Sequence, residues 1–197
     1  MESFAQKYFD GLISSFDFPT YLSPDVKNKE VKYDLTSVQY DVKIKKLEMK
    51  YDLSKNDLFL SIFLFNLVKF SFSKDILVGY NKQAVGYHFN TDLSIEDYIH
   101  DFISQFKDFH EYDGLDFEGE ILFATGDYDK NDYKFIFSYG DDEIAVEYDS
   151  SYYSEELINA FLNAFNVLIA KINEAPEELL KNVSIVENLD FDENFEV

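Results

Sequence analysis

The chain contains no arginine, no cysteine and no tryptophan, and only three of its 197 residues are histidine. All 17 basic residues are therefore lysines, and the 39 acidic residues leave a formal net charge of −22 at pH 7. Lysine cannot form the forked pair of hydrogen bonds with which a guanidinium reads bases and phosphates. A surface of this charge also repels polyanions. We expect the protein to bind neither nucleic acid nor an anionic membrane.

The absence of cysteine excludes disulfides, thiolate metal sites and a cysteine nucleophile together. The first ten residues contain no apolar run of the kind found in signal peptides, so the cytoplasm is the expected compartment. The most apolar segment, LFLSIFLFNLV at 58–68, is shorter than the ~20 residues that cross a bilayer and contains Ser61 and Asn66. It predicts a buried helix.

Hydrophobic residues nevertheless make up 46% of the chain and aromatic residues 18%. A chain of this length and composition can bury a substantial core without a metal or disulfide. No internal repeat and no Gly/Ser-rich linker divides the sequence. We predict that residues 1–197 form a single domain.

Apolar residues recur at helical spacing in segments 2–15, 54–70, 94–109 and 154–176. The last three begin with a serine that is followed closely by an acidic residue, which is typical of a helix N-cap. The third has the clearest apolar face, formed by Ile95, Tyr98, Ile99, Phe102, Ile103, Phe106 and Phe109. Segment 38–44 is ambiguous. Its alternating apolar residues favour a strand followed by a helix, although the chain could be helical from about Val42.

Strands are predicted at DILVGY (75–80), VGYHFNT (85–91), EILFAT (120–125), DYKFIFSY (132–139) and EIAVEY (143–148). The last three, separated by turn segments, predict an antiparallel meander. A short helical turn and VSIV (183–186) are expected to close the fold. The predicted class is α/β (α+β), with a mixed or antiparallel sheet packed against about four helices.

Tests for chemistry give no catalytic residue and no metal ligand set. Asp127, Asp129 and Asn131 begin like a calcium loop, but Asp132 stands where glycine is needed and Ser138 where a bidentate Glu should be. A solvated hairpin turn is the better interpretation. No Walker loop, dinucleotide fingerprint or nucleophile elbow is present.

The three histidines share no metal-ligand spacing. His100 lies on the polar side of its predicted helix and is expected at the surface. His110 lies at the C-terminal end of the same helix, where the dipole favours an imidazolium. His88, in the middle of VGYHFNT, remains open between packing and chemistry.

Taken together, these segments resemble the C-terminal lobe of the condensation domains of nonribosomal peptide synthetases, in the chloramphenicol acetyltransferase-like superfamily. AVGYHFNT is similar to the family pattern of Val or Ile, Gly, any residue, Phe, Val, Asn, Thr: Val85, Gly86, Asn90 and Thr91 match, and His88 and Phe89 depart from it. HEYDGLDFE (110–118) resembles the His-Gln-Asp-x-Pro-Phe-Glu segment. The segments NDLFLSIFLFNLVKFSFSKDILVGYNK, AVEYDSSYYSEELINAFLNAFNVLIAKI and YFDGL also look like family elements, in the family's order.

The family's catalytic signature, His-His-x-x-x-Asp-Gly, belongs to the N-terminal lobe and does not occur here. The two Asp-Gly pairs, at Asp10 and Asp113, have no His-His before them. The resemblance therefore implies one lobe without the residues expected to organise the reaction, and we assign no catalytic residue.

The resemblance implies two similar α/β lobes facing each other across a tunnel, where carrier-bound thioesters meet and an amine attacks the donor carbonyl. Phosphopantetheine would be presented by peptidyl or aminoacyl carrier domains, and no cofactor is expected on this chain. The N-terminal lobe is the implied partner, with an adenylation domain as a further one. The expected tunnel-wall strand comprises Val85, Gly86, Tyr87, His88, Asn90 and Thr91.

Three hypotheses follow. The first is a C-terminal lobe that belongs to a larger synthetase and is inactive alone. The second is a degenerate stand-alone half-domain that docks carrier or synthetase partners. The third, least favoured, is a homodimeric acyltransferase with His88 as its base. Apolar surface left by a missing lobe would also favour self-association, which the negative charge opposes.

Overall fold

A computed structural model of the chain describes residues 28–34, 38–71, 73–80, 83–109, 120–125, 128, 133–140, 143–150 and 152–185. The predicted helix at 2–15, His110 with the HEYDGLDFE segment, and most of the acidic segment 127–132 lie outside these residues. Four helices are described: α1 (Val38–Tyr51), α2 (Lys55–Ser71), α3 (Ile95–Phe109) and α4 (Glu155–Glu174). None of these four combines the length and apolar character that a membrane span requires.

Six strands form one mixed sheet in the order β1-β6-β5-β4-β2-β3. Their bounds are β1 Asn28–Asp34, β2 Asp75–Tyr80, β3 Gln83–His88, β4 Ile121–Thr125, β5 Phe135–Tyr139 and β6 Glu143–Asp149. The central strands β2, β4 and β5 run parallel to one another. At one side β3 pairs antiparallel with β2, and at the other β6 pairs antiparallel with β5 and β1 pairs antiparallel with β6. The predicted α/β class and mixed sheet are confirmed.

The sheet has two different faces because successive side chains of a strand point to opposite sides. On β4, Ile121 and Phe123 belong to the main core with the helices, whereas Leu122 and Ala124 lie on the other face. These two residues form a smaller buried cluster with Ile136, against which two tyrosines, Tyr128 and Tyr133, pack. The helices therefore cover one face of the sheet.

Helix α2 lies at the centre of the core, and its residues from Leu58 to Val68 are all buried. Each polar residue of this run makes one side-chain hydrogen bond, which offsets part of the cost of burying it, although Asn66 Oδ1 is buried without a partner. Ser61 Oγ donates to the carbonyl of Leu58 at 2.7 Å, and Asn66 Nδ2 donates to the carbonyl of Phe161 in α4 at 2.8 Å. The buried helix predicted from the apolar run is confirmed.

The predicted caps are present at three helices. Asp57 N donates to Ser54 Oγ at 3.2 Å, and Asp97 N donates to Ser94 Oγ at 3.0 Å. Ser154 is the N-cap of α4, with its Oγ accepting from Leu157 N at 3.2 Å. A serine oxygen at each site satisfies one of the amide groups that the first turn of a helix leaves without a partner.

Two predictions about secondary structure are wrong. Residues from Val38 onward form helix α1, not a strand, because Ile44, Leu47 and Tyr51 are buried at helical spacing. A strand precedes this helix at Asn28–Asp34 instead. The predicted meander fails between β4 and β5, which pair in parallel with Ile121 beside Phe135. Only the β5–β6 part of it is antiparallel.

Candidate functional site

The candidate site is the edge strand β3, which contains most of VGYHFNT. It pairs antiparallel with β2, and the register places His88 opposite Asp75, Tyr87 opposite Ile76, and Gly86 opposite Leu77. Within the described part of the chain β3 has a neighbour on one side only. The sequence-predicted site residues therefore lie along one border of the sheet and in the turn that follows it.

Side chains along this segment alternate between the core and the solvent. Val85, Tyr87 and Phe89 are buried in the main core. The side chain of His88 is 62% exposed, and Asn90 is also exposed. The inward set fixes the strand against the helices, and the outward set is the part that another molecule could contact.

Tyr87 is anchored to α3 by both its ring and its hydroxyl. The ring packs edge-on against Phe89, Tyr98 and Phe102 with centroids 4.6, 5.5 and 5.8 Å away. The hydroxyl donates a short hydrogen bond to the carboxylate of Asp101, which also accepts from Gln105 Nε2 at 2.8 Å. Sequence analysis missed this anchor, since nothing local marks Asp101 as the partner of a residue on another element.

A second buried tyrosine joins α3 to α2. The hydroxyl of Tyr98 donates to the carbonyl of Ser61 at 2.7 Å, and complete burial raises the pKa of this phenol well above its usual value. Nearby Tyr87 and Asp101 act in the same direction. Tyr98 thus remains protonated and ties the strand's supporting helix to the centre of the core.

His88 is held by a carboxylate from the neighbouring strand. Its Nδ1 lies 2.5 Å from Oδ1 of Asp75, the residue directly opposite in the register. An imidazole oriented by a carboxylate supplies two of the three members of a nucleophilic triad. Among the described residues, Asp75 is the hydrogen-bond partner of the ring, and no serine, threonine or lysine is hydrogen-bonded to it to complete a triad. The arrangement orients His88 without providing a nucleophile.

Asn90 and Thr91 form the turn between β3 and α3. Oδ1 of Asn90 accepts from Asp92 N at 3.1 Å, and its carbonyl accepts from Leu93 N at 3.2 Å. This Asx-type arrangement replaces strand pairing with a local turn. The two residues that match the family pattern best at this end therefore have a clear conformational role.

The segment after α4 holds this turn in place. Lys181 N donates to the carbonyl of Thr91 at 3.1 Å, and Leu180 N donates to the carbonyl of Leu93 at 2.9 Å. Lys181 Nζ also lies 2.8 Å from Oδ1 of Asp92, and this contact lowers the pKa of the exposed carboxyl. The C-terminal part of the described chain thereby buttresses the end of the candidate strand.

The carboxyl ends of the parallel strands, where α/β proteins commonly place ligands, are packed with aromatic rings. Tyr80, at the end of β2, contacts the rings of Phe106 and Phe123 at 5.7 and 5.9 Å. Burial raises its pKa, with a further contribution from Asp57. Its hydroxyl is hydrogen-bonded to Thr125. The described residues of this border give no separate set of convergent reactive groups.

The other predicted residues behave as surface groups. His100 is exposed on α3, as predicted, and its ring stands edge-on to Tyr51 at 5.6 Å. In the described ranges, no three His, Cys, Asp or Glu side chains converge in a way that could hold a metal ion.

Sequence comparisons give no relative. No protein family model matches the chain. No curated protein matches it either.

Comparison of structures gives a clear answer. The chain superimposes on a holo four-domain nonribosomal peptide synthetase bound to AMP and glycine with a TM-score of 0.78 at 9% identity, over 95% of this chain and 20% of the synthetase. The chain has a condensation-domain-like fold. It is also similar to the condensation domain of the Monacolin K polyketide synthase MokA, with a TM-score of 0.69 at 12% identity, over 88% of this chain and 58% of that one.

A third solved structure is similar in fold. The X-domain from teicoplanin biosynthesis matches with a TM-score of 0.64 at 8% identity, over 94% of this chain and 58% of that chain. In each case the chain spans well under two thirds of the protein that it resembles. The resemblance to nonribosomal peptide synthetase condensation domains that the motifs indicated is confirmed for the fold. Whether β3 and its turn line a tunnel stays a prediction.

Proposed function

We propose that the chain is the C-terminal lobe of a condensation-type domain of a nonribosomal peptide synthetase and is inactive alone. It would form one wall of the tunnel where a carrier-bound acyl donor meets a carrier-bound amine. The observation that carries the proposal is the match of 95% of this chain to 20% of a four-domain synthetase. The collinear family segments, with VGYHFNT at the sheet border, support the C-terminal assignment.

The arrangement of β3 supports a role as a wall strand. Tyr87 fixes the strand to α3 through Asp101, while His88 and Asn90 face outward. A strand that is locked on one side and presents polar groups on the other is suited to contact a substrate arm without moving. The expected partners are the N-terminal lobe and carrier domains that present phosphopantetheine, with an adenylation domain as a further neighbour.

The lack of activity follows from the residues. The sequence contains no His-His-x-x-x-Asp-Gly. Among the described residues, Asp75 is the hydrogen-bond partner of the exposed His88 and no nucleophile is hydrogen-bonded to its ring, so these residues give no complete set of groups for acyl transfer.

A condensation assay tests the proposal. The chain is incubated with an aminoacyl carrier protein as donor and a second loaded carrier as acceptor, and amide formation is followed by mass spectrometry of the released arms. The proposal predicts no amide above the rate without protein. Amide formation by the chain alone would contradict it, and loss of that activity in His88→Ala would then support the homodimeric acyltransferase. The contact between His88 and Asp75 is the observation that keeps this alternative in view.

The second candidate is a stand-alone half-domain that docks carrier or synthetase partners. The missing catalytic signature favours it as much as it favours a lobe of a larger enzyme. Titration with apo and holo carrier proteins, followed by calorimetry, distinguishes the two. A docking module binds a carrier without the other lobe, whereas absence of binding rejects this candidate.

A further inference from the structure

Helix α1 has an exposed basic strip on an otherwise acidic molecule. This helix contains two acidic residues and four lysines, in a chain whose net charge is −22. The lysines are Lys43, Lys45, Lys46 and Lys50. Met49 lies within the strip and is 79% exposed. Among the described residues it is the one large hydrophobic side chain that is exposed. We call these five residues the basic strip.

An acidic cluster borders the basic strip. It comprises Glu96 and Asp97 at the start of α3, Glu174 at the end of α4 and Glu177 in the turn that follows. The backbone fixes the two halves together, because Glu96 N donates to the carbonyl of Pro176 at 2.9 Å. The start of α3 and the segment after α4 therefore lie next to each other, and the four carboxylates belong to these two adjoining segments.

The strip and the cluster meet along a seam of two ion pairs. Lys50 Nζ lies 3.1 Å from Oε1 of Glu96, and Lys43 Nζ lies 3.8 Å from Oε1 of Glu174. Beyond the seam, Lys45 and Lys46 are exposed on one side, and Asp97 and Glu177 are exposed on the other. One face of the molecule thus presents positive and negative charge side by side.

We propose that this face is a self-association surface, on which two copies of the chain pair about a two-fold axis. The rotation places the basic strip of each copy on the acidic cluster of the other, with Met49 at the contact. A two-fold interface uses the same patch twice and must therefore be complementary to itself. A nucleic acid or a uniformly acidic protein would meet the acidic cluster as soon as it approached the strip, which disfavours those occupants.

The expected dimer is weak. Each exposed ion pair strengthens association by roughly 1.4- to 5-fold. The remaining charge of the two copies opposes approach, although at physiological ionic strength charges more than about 8 Å apart are largely screened. We expect a weak association that the proposed function neither requires nor excludes.

Sedimentation equilibrium of the full chain, at concentrations from 10 to about 500 µM in 0.15 M salt, measures this association. The variant Lys45→Glu/Lys46→Glu should weaken it roughly 10-fold or more. The control Lys74→Glu changes the net charge as much as the single strip variant Lys46→Glu does, at an exposed lysine outside the strip. It should weaken association by less than 3-fold. Circular dichroism checks that each variant is folded.

A charge swap gives the decisive result. Glu174→Lys/Glu177→Lys alone should associate as weakly as Lys45→Glu/Lys46→Glu alone, whereas a mixture of the two variants should form a heterodimer. That complex forms only if the strip of one copy touches the cluster of the other. A monomeric wild-type chain at the highest concentration, or a mixture that remains monomeric, would overturn the proposal. Equal weakening of association by Lys46→Glu and by Lys74→Glu would also overturn it.

Discussion

The anchor between Tyr87 and Asp101 can be tested by a double-mutant cycle. Tyr87→Phe removes the hydroxyl and leaves the ring packed against Phe89, Tyr98 and Phe102. Asp101→Asn removes the charge but retains an oxygen that can accept from Gln105. Each single change should lower the free energy of unfolding, because the candidate strand loses its polar attachment to α3.

The expected magnitude follows from burial and charge. A hydrogen bond to an ionised group contributes about 1.5–3 kcal/mol net. Asp101 is only half-buried, so solvent screening reduces this to about 1–2 kcal/mol. Tyr87 itself is 1% exposed, and its hydroxyl would be left without its carboxylate partner in Asp101→Asn. We therefore expect a coupling energy of about 1 kcal/mol.

Urea unfolding followed by circular dichroism measures all four corners of the cycle. Glu177→Gln, which removes an exposed carboxylate elsewhere, serves as the charge control and should lie within about 0.5 kcal/mol of wild type. A coupling energy below about 0.3 kcal/mol, which is the additivity expected of independent sites, would refute the anchor. The rigid wall strand proposed for the site would then lose its main support.

Three further outcomes are expected. Gly79→Ala should destabilise the fold by about 1–2 kcal/mol in urea unfolding, because a Cβ at this position would lie 2.9 Å from the hydroxyl of Tyr133. Gly140→Ala, where the added Cβ would meet open space, should be nearly neutral. Equal effects of the two substitutions would contradict the close approach at Gly79. Because the pKa of Tyr98 is raised in the folded state, the unfolded chain releases this phenolic proton at a lower pH than the folded protein does. The free energy of unfolding should therefore fall above pH 10.0, by up to about 1.4 kcal/mol per pH unit. Tyr98→Phe should reduce that slope between pH 10 and 11, and an unchanged slope would mean that this phenol does not contribute. Asn90→Ala should lower the free energy of unfolding by about 0.5–1 kcal/mol, because the hydrogen bond from Asp92 N to the Asn90 side chain is lost. Asn90→Asp keeps an oxygen acceptor and should retain most of the stability. Similar losses for both variants would argue against the turn.

Features encoded locally could be predicted from the sequence. The caps at Ser54, Ser94 and Ser154 depend on hydrogen bonds within three residues, and all three are present. Strand β2 was predicted with its observed bounds, 75–80, because a short apolar run bounded by polar residues leaves little choice.

The strand order and the parallel pairing of β4 with β5 could not be predicted in this way. Strand order depends on contacts between residues far apart in the chain, and alternation along a strand does not indicate the direction of its neighbour. The same limit applied at 38–44, where an alternating pattern lies within a helix whose buried face becomes clear only with Leu47 and Tyr51. The local pattern of apolar residues at 38–44 was compatible with a strand as well as with a helix.

At the candidate site, the sequence indicated which strand matters but not how its side chains are held. The partners of Tyr87 and His88 lie 14 and 13 residues away, and only the observed packing and register identify them. The roles of Asn90 and Thr91 depend on the segment near Lys181, which returns from the far end of the chain. Such contacts leave no mark on the local pattern.

The coding sequence immediately upstream of the codon for Met1 tests the central claim most directly. If the chain is the C-terminal lobe of a condensation-type domain, the reading frame should continue upstream and encode His-His-x-x-x-Asp-Gly within roughly one further lobe, a length comparable to a typical domain. An in-frame stop codon just before Met1, or an upstream region that encodes no such signature, would contradict the claim.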